Sequence, residues 1–151
     1  MFTNLNNTGS CSFYNSTLES IDLSEARIIP RLERSNVSID LNVPNATGFI
    51  GDRCCYHAVN IKSIVNLGRV TEIPAGAFAQ TFNCFGKVNL PFTCTSIRRG
   101  AFSECKTRES IDLQYITYIE NNAFYDCSNL PYVENYNLTY VPDNCFDSNN
   151  M

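Results

Sequence analysis

Cys54-Cys55-Tyr56-His57 sets the only histidine of the chain beside two thiols, the densest group of reactive side chains in the sequence. Two chemistries draw on such residues. A structural zinc site takes four nitrogen or sulfur donors, so this cluster needs a distant ligand pair such as Cys84 and Cys94. A Cys–His nucleophile needs an accessible thiol and a third group that orients the base, and no such group is evident. The chain has no phosphate-cradling glycine loop, no Gly-x-Ser-x-Gly and no His-Glu-x-x-His. Its carboxylates are dispersed rather than paired. The expectation is a protein that is not an enzyme, with no catalytic residue, no bound metal and no cofactor.

The elements around that cluster explain why its thiols are poor candidates. Ala77-Phe78, Ala101-Phe102, Ala123-Phe124 and the variant Cys145-Phe146 recur at steps of 24, 22 and 22 residues. Five places before each phenylalanine stands Ile73, Ile97, Ile119 or Val141. A short unit at near-constant spacing marks a solenoid, whose units bury their apolar faces only by stacking on each other. Cys54-Cys55 falls in the Ala-Phe slot of its own unit, which predicts buried thiols. Cys105 and Cys127 follow their phenylalanines by three residues, in the slot that elsewhere holds Ala58, Thr81 and Asn149. Small side chains in one column are a packing choice, because a free cysteine behaves as a small hydrophobe. Cys84 and Cys94 are the pair best spaced for a disulfide.

Within each unit an apolar–polar–apolar triplet predicts a short half-buried strand. The triplets are Ile21-Asp22-Leu23, Leu41-Asn42-Val43, Val65-Asn66-Leu67, Val88-Asn89-Leu90, Ile111-Asp112-Leu113 and Val133-Glu134-Asn135. The last is weakened by a polar Asn135. Two residues before each phenylalanine stand Gly76, Gly100, Asn122 and Asn144, residue types that accept a left-handed backbone. Ala-Phe is then expected to begin a helical turn. Residues 17–151 are thereby read as one solenoid of about six repeats. Residues 1–16, with Phe2, Leu5, Phe13 and Tyr14, are read as an N-terminal cap or a disordered segment.

This pattern of apolar-x-apolar-Pro, Ile-Gly or Ile-Pro, then Ala-Phe and a later Cys resembles the BspA-like branch of the leucine-rich repeat proteins. The resemblance spans roughly residues 17 to 149. It implies a leucine-rich repeat solenoid, an α/β-type right-handed superhelix. Short parallel strands would line its concave face, with short return strands and helical turns on the convex side. It also implies surface display, adhesion and partner binding, hence a cell-surface or extracellular location. No signal peptide is visible in Met1-Phe2-Thr3-Asn4-Leu5-Asn6-Asn7, so a cytoplasmic scaffold or self-assembling subunit is the alternative. Sequons at Asn6, Asn15, Asn36, Asn45 and Asn137 occur about as often as chance allows in so Asn-rich a chain.

Alternation along a strand puts the outer residues of each triplet inward and the middle one on the open face. The middle residues are Asp22, Asn42, Asn66, Asn89, Asp112 and Glu134, a polar file expected on the concave sheet. Ser20, Lys87, Ser110 and Tyr132 flank it on one side, Gln114 and Tyr136 on the other. Tyr132 and Tyr136 are the expected anchors, since tyrosine offers large contact area at low entropy cost. The file suits a protein or carbohydrate partner. A net charge of −4 disfavours nucleic acid, and no apolar run reaches the ~20 residues of a membrane span. Phe146 is followed by no further strand, so the uncapped C-terminal repeat is expected either to self-associate with another subunit or to be the cut edge of a longer protein.

Overall fold

The computed structural model describes residues 13–17, 21–48, 50–81, 86–106, 109–131, 133 and 135–147. The chain winds into stacked coils, and the coils meet through short parallel strands. β1 (Ile39–Asn42) pairs with β2 (Ile61–Asn66). β3 (Glu72–Ile73), β4 (Ser96–Ile97) and β5 (Tyr118–Ile119) form a second, three-stranded sheet in that order. Single bridges Ile64↔Val88 and Val88↔Ile111 continue the β1–β2 ladder into two more coils. On this face those coils carry bridges rather than strands. At Leu90-Pro91 the proline has no N–H for a longer ladder.

The phenylalanines form one column. Phe78, Phe102 and Phe124 are fully buried. Their rings stack at 5.4 Å and 5.3 Å, and Phe146 adds a further stack on Phe124 at 5.2 Å. Backbone pairing carries the column back through Cys55, whose N–H donates to Ala77 O at 2.7 Å, and Leu32, whose N–H donates to Cys54 O at 2.7 Å. Leu32 thus fills the phenylalanine slot in a unit that lacks Ala-Phe. One step earlier, Phe13 N–H donates to Arg31 O at 2.8 Å and Asn15 N–H to Glu33 O at 3.0 Å. The described part of the N-terminal segment therefore lies on the same ladder.

The expected helical turn after Ala-Phe does not form, and no helix occurs among the described residues. The backbone does something else there. Ala77 and Ala79 N–H close tight turns onto Pro74 and Gly76 O at 3.2 Å, while Gly76, Phe78 and Gln80 N–H reach Arg99, Ala101 and Ser103 O in the next coil at 3.1, 2.8 and 2.8 Å. A helix needs every N–H aimed back along its own axis. Here alternate N–H groups are committed to the neighbouring coil. Left-handed residues bracket the turn, Gly76 at φ 62° and Gln80 at φ 59°. The same first slot is left-handed at Arg53, Gly100 and Asn122, as anticipated for the latter two, whereas Asn144 is not among the left-handed residues.

One strand sits differently from its expected triplet. Ile64 is the inward residue and Val65 is 44% exposed. The register runs Leu41↔Ile64 and then Asn42↔Asn66, so Val65 is an extra residue in a β-bulge. Side-chain period is two, so a single inserted residue reverses which neighbour faces the core. Asn135, the weak point of the last triplet, is half-buried and satisfied on both sides. Its Nδ2 donates to Leu113 O and to Ile116 O, the latter at 3.0 Å, and its Oδ1 accepts Asn137 N–H at 2.7 Å. An amide with all its valences met can close a coil where a leucine would otherwise pack.

Candidate functional site

Four members of the predicted polar file are brought together on the face of β1 and β2. Asn42 pairs with Asn66 in the ladder. Asn89 and Asp112 each follow a bridged residue, Val88 and Ile111, by one position. Asn89 Nδ2 reaches Val65 O at 3.3 Å. Asp22 sits one coil earlier, beside Asn42, in a small cleft that also includes Leu23, Ile39 and Asp40. Glu134 and Tyr132 lie outside the described residues. Tyr136 is on the turn after its triplet and is 89% exposed. Of the flanking positions, Lys87, Ser110 and Gln114 are exposed, and Ser20 lies outside the described residues.

The recurrence of Asx in this file has a local cause. Asp22 Oδ1 accepts Ser24 N–H at 2.9 Å, Asn66 Oδ1 accepts Gly68 N–H at 2.8 Å, and Asp112 Oδ1 accepts Gln114 N–H at 2.9 Å. Each is an Asx-turn that ends the strand segment two residues on. The Ser24 backbone N–H, then the Ser24 side chain, hold the Asp22 carboxyl below its ordinary value. One oxygen of each such side chain is spent on the turn. At Asp112 the second oxygen is engaged too, accepting from Gln114 Nε2 at 3.1 Å.

What the file frames is a groove of about 500 Å³ lined by Asp40, Lys62, Ser63, Val65, Gly86, Lys87, Asn89 and Glu109. Val65, turned outward by the bulge, lines it together with Lys62 and Lys87. Ser63 Oγ donates to Asp40 Oδ1 and fixes one wall. The opposite wall presses close because Gly86 has no side chain. A Cβ there would lie 2.8 Å from Ser63 Cβ and 3.0 Å from Lys62 O, and Gly86 N–H donates to Lys62 O at 2.8 Å. Of these lining residues, Asn89 was expected in the polar file and Lys87 beside it, whereas Val65 was expected to face inward. For Lys62, Ser63 and Val65 the signal was the seven-residue run Ile61 to Leu67, too long for a single triplet.

A second charged cluster lies on the β3–β5 sheet. Arg98 Nε donates to Glu72 Oε2 at 2.7 Å and its Nη1 to Glu120 Oε1 at 3.0 Å, so one guanidinium ties three coils. Hydrogen bonding to Glu72, then to Glu120, strengthens the hold of Arg98 on its proton. Burial works to raise the Glu120 pKa, yet the Arg98 side chain and the Arg99 N–H outweigh it and leave that pKa lowered. The Arg98 guanidinium also lies 5.3 Å over the Tyr118 ring.

The Cys54-Cys55-Tyr56-His57 cluster divides between inside and outside. Both thiols are buried, with their sulfurs 3.8 Å apart and Cys54 Sγ donating to Pro30 O at 3.1 Å. His57 stands on the coil's outer ridge, where its Nδ1 lies 3.3 Å from Gln80 Oε1. Core slots hold the other described thiols too: burial pushes Cys94 and Cys145 each up to about 11 and raises Cys127 further. Cys84 lies outside the described residues.

The family model for the BspA type leucine-rich repeat region matches residues 1–83 and 48–151, in 6 copies. No curated protein and no solved structure matches the chain.

Proposed function

We propose, from the premise that the chain belongs to the BspA-type leucine-rich repeat family, that it is a non-enzymatic interaction module taking a protein partner on the β1–β2 face. The observation that carries this reading is the groove around Val65. An exposed apolar side chain, ringed by Lys62, Lys87, Asp40 and Glu109, has the apolar centre and charged rim of a protein interface. In the superhelix that the family implies, this is the concave face, where solenoids offer extended binding surfaces. The exposed amides of Asn42 and Asn66 together with Tyr136 also suit a carbohydrate, the second ligand chemistry of the same face. Display at a cell surface as an adhesion protein belongs to the same reading.

The test is a photo-crosslinking amino acid placed at position 65, with position 71 as control. Thr71 is exposed on the adjoining side of the coil. Incubation with intact cells and their secretions yields discrete adducts from position 65 that a Lys87→Glu variant weakens. Equal adducts from both positions, or none from position 65, refute the reading. The alternative is an intracellular assembly subunit. It is favoured by Val141, 43% exposed in the slot where Ile119 is 3% exposed, an apolar side chain that a second copy would cover. Thiol counting on native protein from its source separates the two locations: eight free thiols support the cytoplasm, paired ones support export.

A further inference from the structure

The ridge made by the Ala-Phe turns carries a charge pattern that the β1–β2 face does not use. Each turn closes on a left-handed residue, and these are Asn15, Arg34, His57, Gln80, Glu104 and Asp126, with φ between 51° and 59°. They stack one per coil. Arg34 N–H donates to Tyr56 O, His57 N–H to Ala79 O, Gln80 N–H to Ser103 O and Glu104 N–H to Tyr125 O. Side chains run along the crest in the same line: His57 Nδ1 lies 3.3 Å from Gln80 Oε1, and Gln80 Nε2 donates to Glu104 Oε1 at 3.1 Å. Down the crest the column runs from Asn15 and the cation Arg34 through His57 and Gln80 to the anions Glu104 and Asp126. With coils ~4.8 Å apart, Arg34 and Asp126 stand ~19 Å from each other.

The order is self-complementary under reversal. Turned end for end about Gln80, the column places Arg34 against Asp126 and His57 against Glu104. A second column, three residues before the phenylalanine slot, repeats the property with opposite polarity. There Asp52 stands one coil before Ala75 and Arg99 one coil after it, and both charged residues are exposed. Their alignment is set by Arg53 N–H donating to Ala75 O and Gly76 N–H to Arg99 O, each at 3.1 Å. A twofold axis at the Gln80 coil, across the ridge, therefore matches opposite charges in both columns at once. An isologous interface requires that each patch be complementary to itself. Between the two columns Gly76, Ala79, Gly100 and Ser103 present little side chain, and reversal about Gln80 sets Gly100 and Ser103 opposite Arg53 and Tyr56.

We propose that this ridge is a homodimer interface, in which a second copy of the chain docks antiparallel with Arg34 facing Asp126 and Asp52 facing Arg99. The paired crests use none of the residues that line the groove around Val65.

The test is sedimentation equilibrium of the full chain over a concentration series at low and high salt. Wild type dimerises, and added salt weakens the dimer. Arg34→Asp and Asp126→Arg each convert both symmetry-related contacts to like charges, and each raises the dimer dissociation constant at least about tenfold. The double variant restores the pairing with its sign exchanged and returns the constant to within about threefold of wild type. Asp52→Arg, Arg99→Asp and their combination repeat the cycle on the second column. Arg34, Asp52 and Arg99 are exposed and Asp126 is half-buried, so far-UV circular dichroism of each variant checks the fold. A chain that is monomeric up to about 1 mM overturns the proposal. So does a dimer indifferent to the single reversals, or one that the double variants fail to restore.

Discussion

Truncation of Phe102 to alanine removes the middle of the aromatic column, and its cost can be worked from the structure. The ring is fully buried and touches an aromatic ring on each side, Phe78 at 5.4 Å and Phe124 at 5.3 Å. A buried Phe→Ala change costs about 3–5 kcal/mol, because transfer free energy and a residual cavity add. The cavity cannot collapse readily here. Its walls are the turns on either side, each held to the next coil by N–H groups such as Phe78 to Ala101 O at 2.8 Å and Phe102 to Ala123 O at 2.8 Å. We therefore expect about 4 kcal/mol, or roughly 8–16 °C in melting temperature for a chain of this size. In a stacked array that loss also weakens the coupling between the two halves, so the urea transition broadens. Phe102→Leu refills most of the volume and forfeits two ring stacks, at about 1–2 kcal/mol. Phe146→Ala, with one aromatic neighbour and partial burial, costs about half as much as Phe102→Ala by the same area argument. Phe92→Ala, at 73% exposure, stays within about 0.5 kcal/mol. The chain lacks tryptophan, so the assay is urea unfolding followed by circular dichroism and tyrosine fluorescence. A Phe102→Ala loss no larger than that of Phe146→Ala would show that the column does not hold the coils together.

Gly68→Ala is expected to cost more than about 2 kcal/mol, since the left-handed backbone strain adds to a Cβ lying 2.5 Å from Ala46 O and 2.7 Å from Ala46 N. Gly51→Ala, with nothing within 4 Å of its Cβ, stabilises by up to about 1 kcal/mol through the unfolded chain, and thermal melts of the two variants check both signs. Acid titration of wild type against Arg98→Ala isolates the three-coil ion cluster. The folded pKa of Glu120 is depressed below 4.5, so its contribution is present above that value and disappears as pH falls through the folded pKa. Once pH lies below that depressed pKa the two proteins converge in stability, and parallel curves at all pH contradict the assignment. At the alkaline end, Cys94 and Cys145 are raised from 9.0 to about 11, so stability is intact below pH 9 and declines as pH rises through about 11. Maleimide labelling at pH 8 is correspondingly slow in native protein and complete in urea, and fast native labelling of either thiol would contradict its burial.

The repeat was legible because it is one-dimensional. Equivalent residues 22 to 24 apart see the same surroundings, so Phe78, Phe102 and Phe124 betray their column by type and spacing alone. Burial of Cys54 and Cys55 followed from the slot they occupy. The left-handed slot was legible at Gly76, Gly100 and Asn122 because few residue types accept that backbone. The polar file was half legible: Asn42 and Asn66 share a face as expected, while the turns that Asp22, Asn66 and Asp112 close at Ser24, Gly68 and Gln114 were not foreseen.

Residue types and their period determine by themselves that this chain must coil, which side chains fill each coil and that neighbours must cover one another. Only the stacked backbone decides where alternate N–H groups go. That choice replaced the expected helical turn by a ladder between coils. It also decides the bulge that turns Val65 outward, and the alignment that sets Arg34 and Asp126 on one crest with Asp52 and Arg99 beside them. The reason is that strand register and coil-to-coil hydrogen bonds are agreements between residues some 23 positions apart, and a local pattern of polar and apolar residues carries no record of its partner.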